Sequence, residues 1–335
     1  MGKSKKIDAQ CFELDLVENI LLLHFDLENK IYHHGNYTAF YVHDPKLRHI
    51  HKASVRDRVL HHAITKILMP LFEPVFIFDS YSSRKNKGTH RAVLRLKQLA
   101  WKLSANGNKI VWALKCDVRK FFDSVDHQIL LEIIAGKIVD VDLMWLIKEI
   151  VSSFPSENPS RGKPRERERA IGSAARGIPL GNLTSQLFSN IYLNSLDQFV
   201  KRGLREKCYV RYADDFVILS RDREHLEKLI PILVDYLDNK LKLTLHPDKI
   251  ILRKFRQGVD FLGYVVFPHH IILRQKTKQR IIRKIKKNCE MFGDGLIAPE
   301  TFAQTVQSYL GILRHCRGYG IRKEIFKIIA EFGYK

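Results

Sequence analysis

Residues 208–220 have the sequence CYVRYADDFVILS, in which two short apolar runs flank the acidic pair Asp214 and Asp215. Two such runs separated by polar residues predict a β-hairpin, with the aspartates at its turn. Carboxylates set among β-branched and aromatic residues are costly unless cations neutralise them. An exposed turn is still the commonest setting for an Asp-Asp pair, so the interpretation depends on the rest of the chain.

A third acid, Asp117, closes the apolar run KIVWALKCDV at 109–118, which predicts a buried strand. A single aspartate at a strand end is usually only a cap. Carboxylates from separate strands are, however, the usual ligands of two Mg²⁺ ions in phosphoryl transfer. Asp117, Asp214 and Asp215 are therefore candidate catalytic residues and metal ligands, with the backbone carbonyl of Val118 as a further ligand. Mn²⁺ is a possible substitute for Mg²⁺.

The composition indicates a globular chain that faces a polyanion. It has 335 residues, 45% of them hydrophobic, and 57 Lys and Arg against 36 Asp and Glu, a net charge of +21. Disorder is disfavoured by the apolar content, and a basic surplus of this size favours nucleic acid over a neutral partner. No apolar run is long enough to span a membrane, and the N-terminus lacks a signal-peptide pattern. Five cysteines without CxxC spacing fit a reducing cytoplasm.

Helices and strands interleave without regular βαβ alternation, which favours an α+β fold. Apolar periodicity predicts helices over 12–30, 55–72, 88–105, 182–201 and 223–240, and a strand over 258–267. In the second of these helices Val55, Val59, His62, Ala63 and Ile67 share one stripe. Residues 155–177 contain three prolines and a basic run and predict a solvated loop. Residues 271–290, with eight Lys and Arg and one Glu, predict a basic helix.

Taken in order, these motifs resemble the palm motifs of reverse transcriptases. The matching pieces are Asp117 with Phe121-Phe122, GIPLGNLTSQLFSN at 177–190, Tyr212-Ala213-Asp214-Asp215, HPDK at 246–249 and FLGY at 261–264. Upstream, DPKLRHI at 44–50, VRDRVLHHA at 55–63 and DSYSSRKNKGTHRA at 79–92 match as well. The resemblance implies a right-hand polymerase: fingers and palm over 1–268, with an antiparallel palm sheet, then a helical basic thumb over 269–335.

The implied activity is RNA-directed DNA synthesis, with template RNA, primer, cDNA and deoxynucleoside triphosphates as partners. In the motif at 177–190 most reverse transcriptases have the form QG-x-x-x-SP, whereas this chain has Leu180-Gly181 and Ser185-Gln186. This variant resembles the prokaryotic reverse transcriptases of diversity-generating retroelements, which copy a template RNA with errors in mutagenic retrohoming and use a small basic helical accessory subunit. Two alternatives remain: an antiphage-defence or other orphan prokaryotic reverse transcriptase, and a non-catalytic RNA-binding protein on a polymerase scaffold.

The resemblance also implies individual roles. Phe122 would exclude a 2′-hydroxyl, although one of Phe121 and Phe122 should be ordinary core. Arg48, or otherwise Lys46, would grip the triphosphate, because a guanidinium binds phosphate bidentately. Leu180 and Gln186 would lie near the templating base. Lys249 would protonate pyrophosphate unless it is merely a solvated lysine, and Phe261, Leu262, Gly263 and Tyr264 would form the primer grip.

Overall fold

The computed structural model describes residues 6–44, 46–154 and 175–333. Most of the loop predicted at 155–177 therefore lies outside the described residues. The chain divides into two compact units. The first unit comprises Met1–Phe78, Asp117–Arg205 and Pro231–Pro247, and the second comprises Asp79–Cys116, Glu206–Ile230 and Asp248–Lys335. The predicted boundary between palm and thumb at 268/269 stays a prediction.

The first unit is mainly helical and contains one antiparallel hairpin. Its elements are α1 (Ile7–Leu14), α2 (Leu16–Glu28), β1 (Thr38–Val42), β2 (Arg48–Lys52), α3 (Val55–Phe72), α5 (Phe121–Ser124), α6 (His127–Ala135), α7 (Val141–Ser152) and α8 (Leu183–Gln198). The leading helix predicted over 12–30 is two helices, because the chain leaves helical geometry at Asp15, where ψ is 39°.

The second unit holds two antiparallel arrangements of strands with helices packed on them. Its elements are α4 (Thr89–Leu103), β3 (Trp112–Asp117), β4 (Tyr209–Tyr212), β5 (Asp215–Ser220), the start of α9 (Arg223–Leu241), β6 (Ile251–Lys254), β7 (Val259–Phe261), β8 (Tyr264–Val266), β9 (Ile271–Leu273), α10 (Gln275–Gly293), α11 (Pro299–Leu313) and α12 (Tyr319–Glu331). The interleaving confirms the α+β class.

The four-stranded sheet has the order β4-β5-β3-β6, and β7-β8-β9 form a separate sheet. Strand pairs β4/β5 and β3/β6 are antiparallel. Alternate residues of these strands point into one apolar core with α4 and α10; Val217, Phe261 and Ile285 are among its fully buried members. Burial of this core fixes the register of the strands, because a slip of one residue would turn the apolar set to solvent.

Two predictions for the C-terminal third are wrong in detail. The single strand predicted over 258–267 is the hairpin β7/β8, because Leu262 and Gly263 have positive φ angles of 54° and 87° and reverse the chain. The basic helix predicted from 271 begins only at Gln275, since Ile271–Leu273 pair with β8 as a third strand. Within the part of the chain that the structure describes, no helix has the length and apolarity needed to cross a bilayer.

Helix α3 has the predicted bounds, but its buried face is not the predicted stripe. Ser54 caps it by accepting a hydrogen bond from the Asp57 amide. The buried residues are Asp57, Leu60, His61, Ile64, Leu68 and Phe72. His62, Ala63 and Ile67 of the predicted stripe are exposed. The apolar pattern predicted the wrong face of the helix, because two of its buried residues, Asp57 and His61, are polar. Such side chains are buried only where hydrogen bonds to other parts of the chain satisfy them.

Those polar positions belong to a buried network around His61. Tyr32 Oη donates to Asp57 Oδ1 at 2.8 Å, and the His34 and His61 Nε2 atoms lie 3.2 Å apart. His34 Nδ1 must donate to the Gly35 carbonyl at 2.7 Å. His34 Nε2 is then an acceptor, so the Nε2–H of His61 donates to it. This leaves His61 Nδ1 deprotonated, buried and without a hydrogen-bond partner among the described residues.

Stability is expected to depend on pH through His61. Burial lowers its pKa from 6.5 to about 4, and the negative charge of Asp57 opposes this shift. Between these values the unfolded chain binds a proton that the folded chain does not, so the free energy of unfolding falls as pH drops from 6.5 to about 4. The difference amounts to about 3 kcal/mol at most.

Urea unfolding at a series of pH values measures this dependence. His61→Gln removes this titrating group and should reduce the slope of the curve in that window. The neighbouring His62 is exposed, so His62→Gln is a matched control that should keep the slope of the parent chain. Equal slopes for the two variants would contradict the assignment of the pH dependence to His61.

Candidate active site

The predicted hairpin with the acidic pair at its turn is confirmed. Tyr212 of β4 pairs with Asp215 of β5, so that Ala213 and Asp214 form a two-residue turn between them. Ala213 has a φ of 51°, in the left-handed region. Both aspartates are half-buried. The hairpin therefore presents two carboxylates at the turn that joins β4 to β5.

Lys115 is a residue of this site that the sequence reasoning missed. Its Nζ lies 3.4 Å from Asp215 Oδ2 and donates to the Asp260 carbonyl at 2.9 Å. The two paired side chains are only 13% and 18% exposed. At such burial the attraction is screened less than at the surface. The sequence does contain a sign of this role, since Lys115 is a charged residue inside the apolar run of β3. A charge in a buried strand requires a partner of opposite charge or a hydrogen-bond acceptor.

Asp117 ends β3 and is the first residue of the Asp117–Arg205 segment of the first unit, in which residues 244–246 bond to the backbone around it. The His246 amide donates to the Asp117 carbonyl, and the Arg119 amide donates to the Thr244 carbonyl, both at 2.8 Å. In an antiparallel pair, a residue flanked by such bonds turns its own amide and carbonyl to the opposite side. The carbonyl of buried Val118 therefore faces away from that stretch, as a carbonyl available to a ligand would.

The donor set fits a hard divalent cation. Three carboxylates and one carbonyl are oxygen ligands, and Mg²⁺ prefers these. Across residues 6–44, 46–154 and 175–333, no three His, Cys, Asp or Glu side chains lie close enough together to hold a metal unaided. Mg²⁺ sites commonly use one or two carboxylates and complete their coordination with substrate phosphates and water.

In the first unit, the predicted nucleotide-binding residues Arg48 and Leu180 lie on elements that are bonded together. Arg48 is exposed and begins β2. The His51 amide of the same strand donates to the Leu180 carbonyl at 2.9 Å. Asn182 Nδ2 in turn donates to the His51 carbonyl at 2.9 Å. Asn182 is the N-cap residue of α8, but its side chain makes no capping hydrogen bond and bonds to β2 instead. Lys46 is exposed in the preceding loop.

Gly181 is required by this packing. Its φ is 121°, and an added Cβ would lie 2.7 Å from Ile50 Cγ2 on β2. Gly181→Ala is therefore expected to lower the free energy of unfolding by about 1–3 kcal/mol beyond the cost of the backbone conformation. Gly88→Ala is the control, since Gly88 has a φ of 116° with nothing within 4 Å of the added atom. Equal losses in urea unfolding would show that β2 does not pack tightly on this turn.

Phe121 and Phe122 occupy different environments. Phe121 is 1% exposed and lies edge-on to Tyr192, so it is the core member of the pair. Phe122 is half-buried, and its carbonyl accepts a hydrogen bond from the Ile178 amide at 2.7 Å. Gln186, in the first turns of α8, is exposed. Contact of Phe122 or Gln186 with a nucleotide stays a prediction.

Lys249 and the predicted primer grip lie in the second unit. Lys249 is half-buried in the short 3₁₀ turn Pro247–Lys249 that leads into β6. Phe261 and Tyr264 are buried and flank the β7/β8 turn, whereas Leu262 and Gly263 at the turn are partly exposed. The Arg274 amide donates to the Gly263 carbonyl at 3.0 Å. If this hairpin touches a primer, Leu262 and Gly263 make the contact and their neighbours support it.

An antiparallel sheet with an acidic hairpin turn, interleaved with helices, is the arrangement found in the right-hand polymerase fold. Residues 43–266 match the model of one family of this class, "Reverse transcriptase (RNA-dependent DNA polymerase)". The match covers well over half of the chain, and the chain belongs to this family. The resemblance of the motifs to reverse transcriptases is thereby confirmed at the level of the family.

Curated relatives include proteins of group II introns. Protein YkfC of Escherichia coli (strain K12) is 26% identical over 273 residues, which cover 72% of this chain and 67% of YkfC. The group II intron-encoded protein LtrA of Lactococcus lactis subsp. cremoris is 25% identical over 281 residues, which cover 65% of this chain and 44% of LtrA. The chain thus spans less than half of the LtrA protein.

Solved structures confirm the fold class. The structure of telomerase from Candida Tropicalis in complex with a fragment of telomeric RNA gives a TM-score of 0.54 at 12% identity, over 94% of this chain and 59% of that one. The apo telomerase from Candida Tropicalis, truncated from its C-terminal domain, gives 0.53 at 12% identity, over 77% of this chain and 60% of that one. Identities this low show the α+β right-hand polymerase fold alone.

Proposed function

We propose that the chain is an RNA-directed DNA polymerase that extends a primer into cDNA. The observation that carries the proposal is the contact of Lys115 Nζ with Asp215 Oδ2 at 3.4 Å, on neighbouring strands of one sheet. Side chains two residues apart on a strand share a face. Asp117 should therefore lie on the face of β3 that also carries Lys115.

Asp117, Asp214, Asp215 and the Val118 carbonyl would hold two Mg²⁺ ions, with Mn²⁺ as an alternative. When bound, the ions would lower the pKa of the attacking 3′-hydroxyl and neutralise the departing pyrophosphate. The charge of Lys115 beside Asp215 reduces the repulsion between the carboxylates while no cation is present. The end of β3 and the hairpin turn would hold these oxygens more rigidly than a flexible loop would.

The remaining residues would bind and orient the substrate. Arg48 would bind the triphosphate with two parallel hydrogen bonds, which Lys46 is unable to form. Phe122 would lie against C2′ of the incoming sugar and exclude a 2′-hydroxyl. Lys249 would donate a proton to the pyrophosphate, a contribution of about 10²–10⁴-fold in general acid catalysis. Leu262 and Gly263 would hold the primer end.

Helix α10 would contact the nucleic-acid backbone. Its apolar residues Ile281, Ile285 and Cys289 are buried, and other residues of the helix line an open groove of about 600 Å³. Basic residues of that groove include Arg283, Lys286 and Lys287, whereas Lys278 Nζ pairs with Glu324 Oε2 at 3.0 Å. Lysines and arginines on one helix face bind phosphates without reading the bases. Helix α10 would thus place part of the excess positive charge of the chain where the template and the duplex bind.

A narrower proposal is that the enzyme belongs to a diversity-generating retroelement and copies its template with errors, together with a small basic accessory subunit. It is supported by Leu180-Gly181 and Ser185-Gln186 and by the exposed Gln186 side chain. Sequencing cDNA made in vitro from a defined RNA tests it: errors should concentrate opposite adenine. Errors spread evenly over the four template bases would favour the defence or orphan alternative.

Primer extension together with template binding tests the broader proposal. The purified chain should bind an RNA template with an annealed DNA primer and lengthen the primer with deoxynucleotides in Mg²⁺. Digesting the RNA beforehand should abolish the product. Tight binding of the template and primer without any extension would identify an RNA-binding protein on a polymerase scaffold.

A further inference from the structure

Arg211 is the largest fully buried side chain among the described residues, with none of its surface exposed. It lies in β4, in the middle of an apolar run and two residues before Ala213. Burying a guanidinium is costly unless its donors are satisfied. Its partners therefore indicate why a charge is kept at this position.

The Arg211 side chain joins the catalytic turn to a distant segment of the chain. Nη1 donates to the Ala213 carbonyl at 3.0 Å, and Nη2 donates to Ser80 Oγ at 3.1 Å. The backbone is bound to the same segment, because the Arg211 amide donates to the Asp79 carbonyl and the Tyr81 amide donates to the Arg211 carbonyl, both at 2.9 Å. Ser80 and Arg211 thus form a short parallel bridge on the open edge of β4.

We call residues 79–95 the brace, and its own anchoring is extensive. Asp79 is 4% exposed and accepts hydrogen bonds from Arg95 Nε at 2.8 Å and from Tyr81 Oη at 3.2 Å. At the start of α4, Thr89 Oγ1 lies 3.3 Å from Tyr212 Oη, beside the turn. The brace contains the whole DSYSSRKNKGTHRA motif at 79–92, for which the resemblance to reverse transcriptases gave no role.

The turn needs an external restraint. Ala213 has a φ of 51°, a left-handed conformation that is unfavourable for alanine. Strained backbone of this kind persists where surrounding contacts over-determine it. The Arg211 bond to the Ala213 carbonyl fixes the plane of the peptide that joins Ala213 to Asp214, and so the direction in which the Asp214 side chain leaves the backbone.

We infer that Arg211 is a positioning residue, which locks the Ala213–Asp214 peptide against the brace so that the two aspartates are presented in one orientation. The effect of Arg211 on catalysis rests on the proposed function, whereas the hydrogen bond by which Arg211 holds the turn does not. Lysine would keep the charge but has no planar fork to reach Ala213 and Ser80 together.

The test compares Arg211→Lys with Arg253→Lys in the full chain. Arg253 is a control of the same residue type, an exposed arginine of β6 in the same unit whose Nη1 donates to the Gly258 carbonyl at 3.0 Å. Hydrogen–deuterium exchange over residues 209–220 reports on the turn whether or not the chain is active. We expect faster exchange there in Arg211→Lys alone. The kcat of primer extension should fall by about 10²-fold, with the KM for deoxynucleotides unchanged.

Ser80→Ala is a second test in case Arg211→Lys does not fold. It removes only the hydroxyl that accepts a hydrogen bond from Arg211 Nη2. It should change exchange and kcat in the same direction by a smaller factor. Exchange and kcat equal to those of the control variant would overturn the inference, and so would faster exchange with an unchanged kcat. If the parent chain itself makes no cDNA, the proposed function fails, and exchange at the turn still decides whether Arg211 holds it.

Discussion

Replacing Asp214 by alanine is expected to lower the rate of RNA-templated primer extension by roughly 10³-fold or more. The carboxylate would hold metal ions whose charge stabilises the transition state by several kcal/mol, and each 1.36 kcal/mol corresponds to a factor of ten in rate. The turn itself should survive the change, because it is held by the Tyr212–Asp215 pair and the Arg211 bond to the Ala213 carbonyl. Single-turnover extension of a labelled primer measures the rate.

Asp238→Ala is the matched control for this variant. Asp238 is an exposed acid on α9, remote in sequence from the three candidate ligands. Both variants should keep the circular dichroism and the template affinity of the parent chain, and the control should also keep its rate. Primer extension by Asp214→Ala at the rate of the parent would contradict the proposed metal site.

Replacing Phe122 by alanine is expected to lower the preference for deoxynucleotides over ribonucleotides by about 10²-fold, the order of discrimination that a steric pocket supplies. The change should come from a higher kcat/KM for ribonucleotides, because the ring would no longer meet their 2′-hydroxyl. Phe122 is half-buried, so the loss of its ring costs less packing than the loss of a core side chain. Single-nucleotide incorporation with each sugar measures the ratio.

Phe121→Ala separates this effect from simple damage to the core. Phe121 is 1% exposed, and its truncation should cost about 3–5 kcal/mol of stability. It should leave the preference between the two sugars unchanged in the fraction that folds. A ratio in Phe122→Ala equal to that of the parent chain would move the sugar gate to another residue.

The sequence pattern predicted an element correctly where the local preference of the chain agrees with its tertiary environment. Helix α3 has the predicted bounds, and the residues around Asp214 form the predicted hairpin. In both places a strong periodicity lies between clear start and turn residues. The element can therefore be predicted without knowing its contacts with distant parts of the chain. The order of the motifs likewise predicted the fold class.

The sequence was insufficient where distant partners decide the outcome. The FLGY segment is a turn because Leu262 and Gly263 adopt positive φ angles, although its apolar pattern is that of a strand. The buried face of α3 includes Asp57 and His61, whose burial depends on Tyr32 and His34. An apolar pattern contains no information about such hydrogen bonds.

Lys115 and Arg211 were missed for the same reason. Each interrupts an apolar strand run and was passed over as an isolated charge. The structure gives them partners in other segments: Asp215 and the Asp260 carbonyl for the lysine, Ser80 and the Ala213 carbonyl for the arginine. A buried charge inside a strand should therefore be treated as a pointer to a site, because the fold must pair it.

The most direct test of the central claim is templated addition of one nucleotide by the purified chain. A DNA primer is annealed to four RNA templates that differ only in the first unpaired base, and each deoxynucleotide is supplied alone with Mg²⁺. The account predicts that the complementary deoxynucleotide is added fastest on every template. No addition on any template, or addition that ignores the template base, would contradict it.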